Sequence, residues 1–179
     1  RVLFRSWPYI THDFDKEPSA FCYAFAQNYQ TIQYYRHDHP DTPRDRVLNS
    51  LKHYLAAGHP VMFGFTVYNS IAQAKYTGMI PFPCRGDKLA GGHAVMAVGY
   101  DDDIEIVNTG KGRVKTKGAF LIRNSWGCKW GNKGYGWLPY KYVLSGLAAD
   151  FWSILKQEWI DTEEFSIEKT EGQQMLVAG

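Results

Sequence analysis

"GGHAVMAVGYDDD" (residues 91–103) and "RNSWGCKWGNKGYGWLPY" (residues 123–140) decide how this chain is read. The first has the composition of a strand, with one histidine, His93, at its mouth behind Gly91 and Gly92. The second closes a strand on Asn124, thirty-one positions after that histidine (124 − 93), and sets Trp126 two residues further on. Glycines carry no Cβ, so Gly91 and Gly92 leave room for another backbone to approach His93. If the two strands lie side by side, the Asn124 amide oxygen can accept from one imidazole nitrogen. That bond fixes the tautomer and leaves the other nitrogen facing a nucleophile. Trp126 can shield the bond from water, which strengthens it. A histidine at a strand start, or an Asn-Ser-Trp-Gly turn, is by itself equally compatible with plain packing. The pairing carries the chemistry.

Composition narrows the alternatives. The chain has 179 residues, 45% hydrophobic and 16% aromatic, enough for a real core in one domain or two small lobes. Its 20 basic and 18 acidic residues leave a net charge of +2, which gives no polycation for nucleic acid. No stretch reaches the roughly 18 apolar residues of a membrane span, so neither nucleic acid nor membrane is expected as a partner. The chain opens on "RVLFRSWPY" without an initiator Met, which reads as a mature, processed or truncated front. Cys22, Cys84 and Cys128 are an odd count with no C-x-x-C pair. No H-E-x-x-H is present, and "HDHP" (37–40) reads as a solvated loop rather than a metal site. No phosphate-binding glycine motif occurs, so no metal and no cofactor is expected.

The organisation is α+β. Residues 20–36 could begin as a helix or lie extended. "TPRD" from Thr42 offers an N-cap Thr with Pro at the first helical position. Val47, Leu48, Leu51, Tyr54 and Leu55 then make an apolar helical stripe, which Gly58 and Pro60 end. "PVMFGFTVY" (60–68) is a continuous apolar run expected to be buried on both faces. "HAVMAVGY", "DIEIVN" and "AFLIRN" read as three further strands, with "NTGKGRVKTKG" (108–118) as a hairpin tip between the last two. "LPYKYVLSGLAA" suggests a short helix or turn, and "DFWSILK" a closing strand. Residues 1–58 are expected to be the remnant of a helical lobe, 59–156 a β-rich lobe, and 157–179 a polar, acidic tail.

In order and in one β-rich lobe, "GGHAVMAVGY" and "RNSWGCKWGNKGYGWLPY" resemble the papain-like cysteine peptidases, in particular the bacterial-type members. "WPY", "PVMFGFTVY" and "ADFWSIL" support the likeness, which covers about residues 5 to 160. The resemblance implies a single papain-like domain with a barrel-like C-terminal lobe and an incomplete helical N-terminal lobe. It implies hydrolysis of peptide bonds through a thioester acyl-enzyme. His93 would be the base, Asn124 the orienting amide and Trp126 the shield and a substrate contact. By position, Gly64 and Phe65, with Gly91, Gly92 and Ala94 opposite, would line the wall for the side chain two residues before the cut. Phe65 reads equally well as a buried strand residue.

The nucleophile departs from the pattern. The family carries it upstream, where a Gln-Gly approach precedes a cysteine at a helix start. In "FCYAFAQ" no Gln-Gly precedes Cys22, and Cys22 lies 71 residues before His93 (93 − 22), against about 130 or more in the family. The thiolate that His93 would stabilise is therefore expected on an N-terminal segment or chain outside these residues. The rival reading is a papain-fold protein without a nucleophile that binds peptides or acts structurally. Cys84 and Cys128 sit in the loops leading into His93 and out of Asn124, so they are expected either to bridge, bracing those loops, or to be two free thiols. A bridge would favour a secreted, periplasmic or lysosome-like setting.

Overall fold

The computed structural model describes residues 10–159; "WPY" (7–9) and the acidic stretch beyond residue 159 lie outside the described residues. The chain divides into two compact units, one of residues 10–32 with 156–159, the other Gln33–Leu155. In the first unit a 3-10 turn (Thr11–Asp13) precedes helix α1 (Ala20–Ala26), which Ser19 caps by accepting from the Cys22 N–H at 3.4 Å. Strand β1 (Tyr29–Arg36) follows. The stretch 20–36 is thus both things its composition allowed, a short helix and then an extended strand.

The second unit holds helix α2 (Arg44–Ala56), strands β2 (Val61–Tyr68), β3 (Leu89–Val107), β4 (Lys115–Arg123) and β5 (Tyr135–Pro139), and the short helix α3 (Lys141–Leu144). Strand β6 (Ala148–Trp159) runs out of it. The sheet order is β1-β6-β2-β3-β4-β5, so the last strand lies between the first and the second. Val47, Leu51 and Leu55 of α2 are buried and join one core with Phe63, Phe120, Ile122, Tyr142 and Phe151. The unit boundary therefore falls between residues 32 and 33 rather than at 58, because α2 packs with the sheet it precedes.

Four further expectations are corrected. Helix α2 begins at Arg44 with Pro43 as its N-cap, at ψ 139, and no side chain caps it. Thr42 stands one residue too early, since Pro43 is extended and its carbonyl already accepts from Val47. Strand β2 is fully buried on one face only: Val61, Phe63, Phe65 and Val67 point into the core, while Met62, Gly64, Thr66 and Tyr68 are half-buried. The two strands read at 93–100 and 103–108 are one, β3, in which a register shift between Asp101 and Glu105 absorbs the polar "DDD". There Asp101 accepts from the Asp103 N–H at 2.8 Å, a local turn that bends the strand without ending it.

"HDHP" is the fourth. His37 is 3% exposed, wedged between α2 and β6, with Nδ1 2.8 Å from the Ser50 hydroxyl and Nε2 2.9 Å from Ser153. Only His39 and Pro40 of that run are exposed. No group of His, Cys, Asp and Glu suited to a metal ion gathers among the described residues. None of the described helices is long and apolar enough to cross a membrane.

Candidate active site

Antiparallel pairing of β2 with β3 sets Phe65 opposite His93, Gly64 opposite Ala94, Thr66 opposite Gly92 and Val67 opposite Gly91. Pairing of β3 with β4 brings Met96 opposite Arg123, so Asn124, the residue after β4, arrives beside the start of β3. Its backbone N–H donates to Gly134 at 2.9 Å, which anchors the strand end. The Asn124 Oδ1 accepts from the Ser125 N–H at 2.7 Å and lies 2.9 Å from His93 Nε2. An oxygen already accepting one N–H faces the ring, so Nε2 is the protonated nitrogen and donates. Nδ1 is then bare. Among the described residues Asn124 is the only hydrogen-bond partner of that ring.

Two aromatic rings hold the imidazole. Trp126 stacks on it, with centroids 4.8 Å apart and planes at 24°, and remains 45% exposed on its other side. Phe65, 4% exposed, meets His93 edge-on at 6.0 Å and rests in turn on Tyr142 at 5.8 Å. Tyr142 is fully buried and donates its hydroxyl to the Pro81 carbonyl at 2.9 Å. Burial holds that phenol far above its ordinary range, so it is a fixed neutral post. Phe65 supports the imidazole from below. It is not the open wall that its position in the run suggested.

Strand alternation sorts the other expected residues. Gly64, Gly92 and Ala94 share the face opposite to Phe65 and His93, where the Gly64–Ala94 pair carries little bulk. A Cβ on Gly64 would meet only Ala149 O at 3.9 Å and His93 O at 4.0 Å; Gly91 (φ 138) and Gly92 have open space around the Cβ position. Open space thus surrounds the backbone ahead of the histidine.

Trp130 was not singled out from sequence, and it holds Trp126 at right angles, centroids 5.4 Å apart. It can lie there because glycines let backbone pass beneath: a Cβ on Gly136 would meet Gly78 O at 2.6 Å and the Trp130 ring at 2.7 Å. The glycines at 131, 134 and 136 are the sequence signal for this close packing. Gly136→Ala should therefore destabilise the unit by about 1–3 kcal/mol, the usual cost of overpacking. The check is a lowered urea midpoint with an unchanged slope.

The described cysteines are all free, so Cys84 and Cys128 do not bridge. Cys84 closes a turn in which Asp87 Oδ2 accepts its N–H at 2.8 Å, and its sulfur faces Gly110. Cys128 is exposed in the turn beside Gly134. Each belongs to a separate loop cluster. Partial burial pushes the Cys84 thiol up, and the Asp87 carboxylate adds to this, the reverse of what a nucleophile needs.

The His93 imidazole is thus oriented by the Asn124 amide and capped by Trp126, at a strand start with open space before it. The chain belongs to the papain family of cysteine proteases, whose profile matches residues 5–151. It is 35% identical over 152 residues to an uncharacterized peptidase C1-like protein of Acanthamoeba polyphaga mimivirus, covering 83% of this chain and 45% of that protein. It is 33% identical over 102 residues to the thiol protease aleurain of Arabidopsis thaliana, covering 56% of this chain and 25% of aleurain. Among solved structures, xylellain, a cysteine protease from Xylella fastidiosa, superposes with a TM-score of 0.63 at 38% identity. That match covers 84% of this chain and 55% of xylellain. The chain thus spans about half or less of the proteins it resembles.

Proposed function

We propose that this chain is the base-carrying part of a peptidase that hydrolyses peptide bonds through a thioester acyl-enzyme. The observation that carries the reading is the 2.9 Å His93–Asn124 bond beneath Trp126. His93 Nδ1 takes the proton of a cysteine thiol, the thiolate attacks the scissile carbonyl, and the imidazolium returns the proton to the leaving amine. Water then hydrolyses the thioester with the same ring as base. Asn124 keeps Nδ1 aimed at the sulfur throughout. Support for a nucleophile on an N-terminal segment outside residues 1–179 comes from the three cysteines present. Cys22 is buried within α1, Cys84 is pushed toward its neutral form, and Cys128 sits on an exposed turn.

The test is labelling of the full-length protein with a thiol-directed epoxide, followed by peptide mapping. The expected adduct lies on one cysteine N-terminal to Arg1, with Cys22, Cys84 and Cys128 unmodified. An adduct on one of those three would move the nucleophile, and no adduct with intact peptide binding would favour the non-hydrolytic alternative. In the active protein Asn124→Ala should lower kcat/KM about 10- to 100-fold. This is the worth of one hydrogen bond to a group that becomes charged, roughly 1.5–3 kcal/mol. Unchanged steady-state kinetics would remove Asn124 from its role.

A further inference from the structure

We infer that the protein carries a cationic docking patch for acidic side chains of its peptide substrate, some 16 Å from the base. This rests on the peptidase reading above. The patch is built by the tip of the β3–β4 hairpin folding against the loop that leads into His93. Asn108, fully buried at the end of β3, is the clasp: its Nδ2 donates to Phe82 O at 3.0 Å and to Asp87 Oδ2 at 2.8 Å. Its Oδ1 accepts from Gln73 Nε2 at 3.0 Å and from the Gly110 N–H at 2.8 Å. Thr109 adds two bonds to Gln73 Oε1, and the Lys88 N–H donates to Asn69 Oδ1 at 2.9 Å. With Asn108 buried and both its amide atoms satisfied, the clasp holds the two loops together.

The clasp gathers Arg85, Lys88, Lys111 and Arg113, all exposed; a Cβ on Gly112, between the last two, would meet Arg85 Cβ at 3.7 Å. None of the four forms an ion pair among the described residues, whereas Lys115 and Lys117 on the hairpin stem are neutralised by Glu105 and Asp103. The acid within the cluster, Asp87, has its carboxylate turned inward onto Asn108 and the Cys84 N–H. Four cations and one acid give the patch +3 (4 − 1), more than the +2 of the entire chain. Lys88 lies five residues before His93 (93 − 88) along the start of β3, and at about 3.3 Å per residue that is roughly 16 Å. An extended peptide with its scissile bond at His93 spans that distance in about five residues, so the acids recognised lie four to six positions from the cut.

The experiment uses the full-length enzyme and two peptides with one cleavable core, flanked at those positions by three Asp or by three Asn. Several exposed ion pairs acting together are expected to raise kcat/KM for the Asp peptide about tenfold at low salt. The ratio should fall toward one in 0.5 M NaCl, as a screened interaction does. The Arg85→Gln, Lys88→Gln, Lys111→Gln, Arg113→Gln variant should bring it to about one at any salt. A wild-type ratio of one with the Asn peptide cleaved overturns the patch and leaves the peptidase reading standing. A tenfold ratio that survives in the variant places acid recognition elsewhere and also overturns it. If neither peptide is cleaved, both readings fail. Tighter retention of heparin than of the Asp peptide at the same salt would assign the cations to a polyanion instead.

Discussion

His93→Ala in the complete enzyme should lower kcat by about 10² to 10⁴, the range over which a positioned acid–base group acts. In the proposed mechanism the substitution removes the group that both accepts the thiol proton and returns it to the leaving amine. It also empties the slot between Trp126 and Phe65, which stack on the ring and meet its edge. Both rings are held from behind, by Trp130 and Tyr142, so the slot should persist. The loss should therefore fall on kcat far more than on KM, and added imidazole should restore part of it. Turnover of His93→Ala within a few-fold of wild type would sink the assignment of the base.

Acid should weaken the fold through a different histidine. Burial lowers the His37 pKa from 6.5 to about 4, against a smaller opposing pull from Asp38. In the unfolded chain the ring takes up its proton near 6.5, whereas in the folded chain it waits until about 4. Between those values the unfolded state binds more protons, so stability rises with pH across this window and is lost as pH falls through it. At 1.36 kcal/mol for each pKa unit the loss is at most about 3 kcal/mol, and rotation of the Ser50 and Ser153 hydroxyls to accept from the charged ring would reduce it. Urea midpoints at pH 7.5, 5.5 and 4 should fall more steeply for wild type than for His37→Gln, which starts lower but lacks this proton. Parallel curves would show that His37 does not govern the acid limb.

The meeting of His93 with Asn124 was legible because strand geometry is local. Each motif names a strand end, and one pairing register brings the ends together, so His93, Asn124 and Trp126 could be read before any coordinates. What escaped depends on partners far away in the chain. "VMFGFTVY" has no charged residue on either face, so its alternation, and with it the burial of Phe65, is invisible until α2 and α3 take one side. His37 looks solvated within "HDHP" because Ser153, which holds it, lies 116 residues on. Asn108 in "NTGKG" carries the marks of a turn tip, and nothing nearby announces Asp87 or Gln73. Residues 93–108 look like two strands although β3 is one, since three consecutive aspartates mimic a turn.

The order of strands sets a timetable for synthesis. Because β6 inserts between β1 and β2, the sheet cannot close until residues 148–155 have left the ribosome. Until then β2 presents an unpaired, strongly apolar edge, a template for pairing with other chains. The closing contacts span more than a hundred residues, among them Asp38 accepting from the Asp150 N–H at 2.7 Å and from the Phe151 N–H at 3.1 Å. Such closure comes late and slowly, after its loop entropy has been met. Truncations that stop short of β6 should thus yield aggregates rather than a smaller folded unit, and folding yield should depend on how quickly the last strand is delivered.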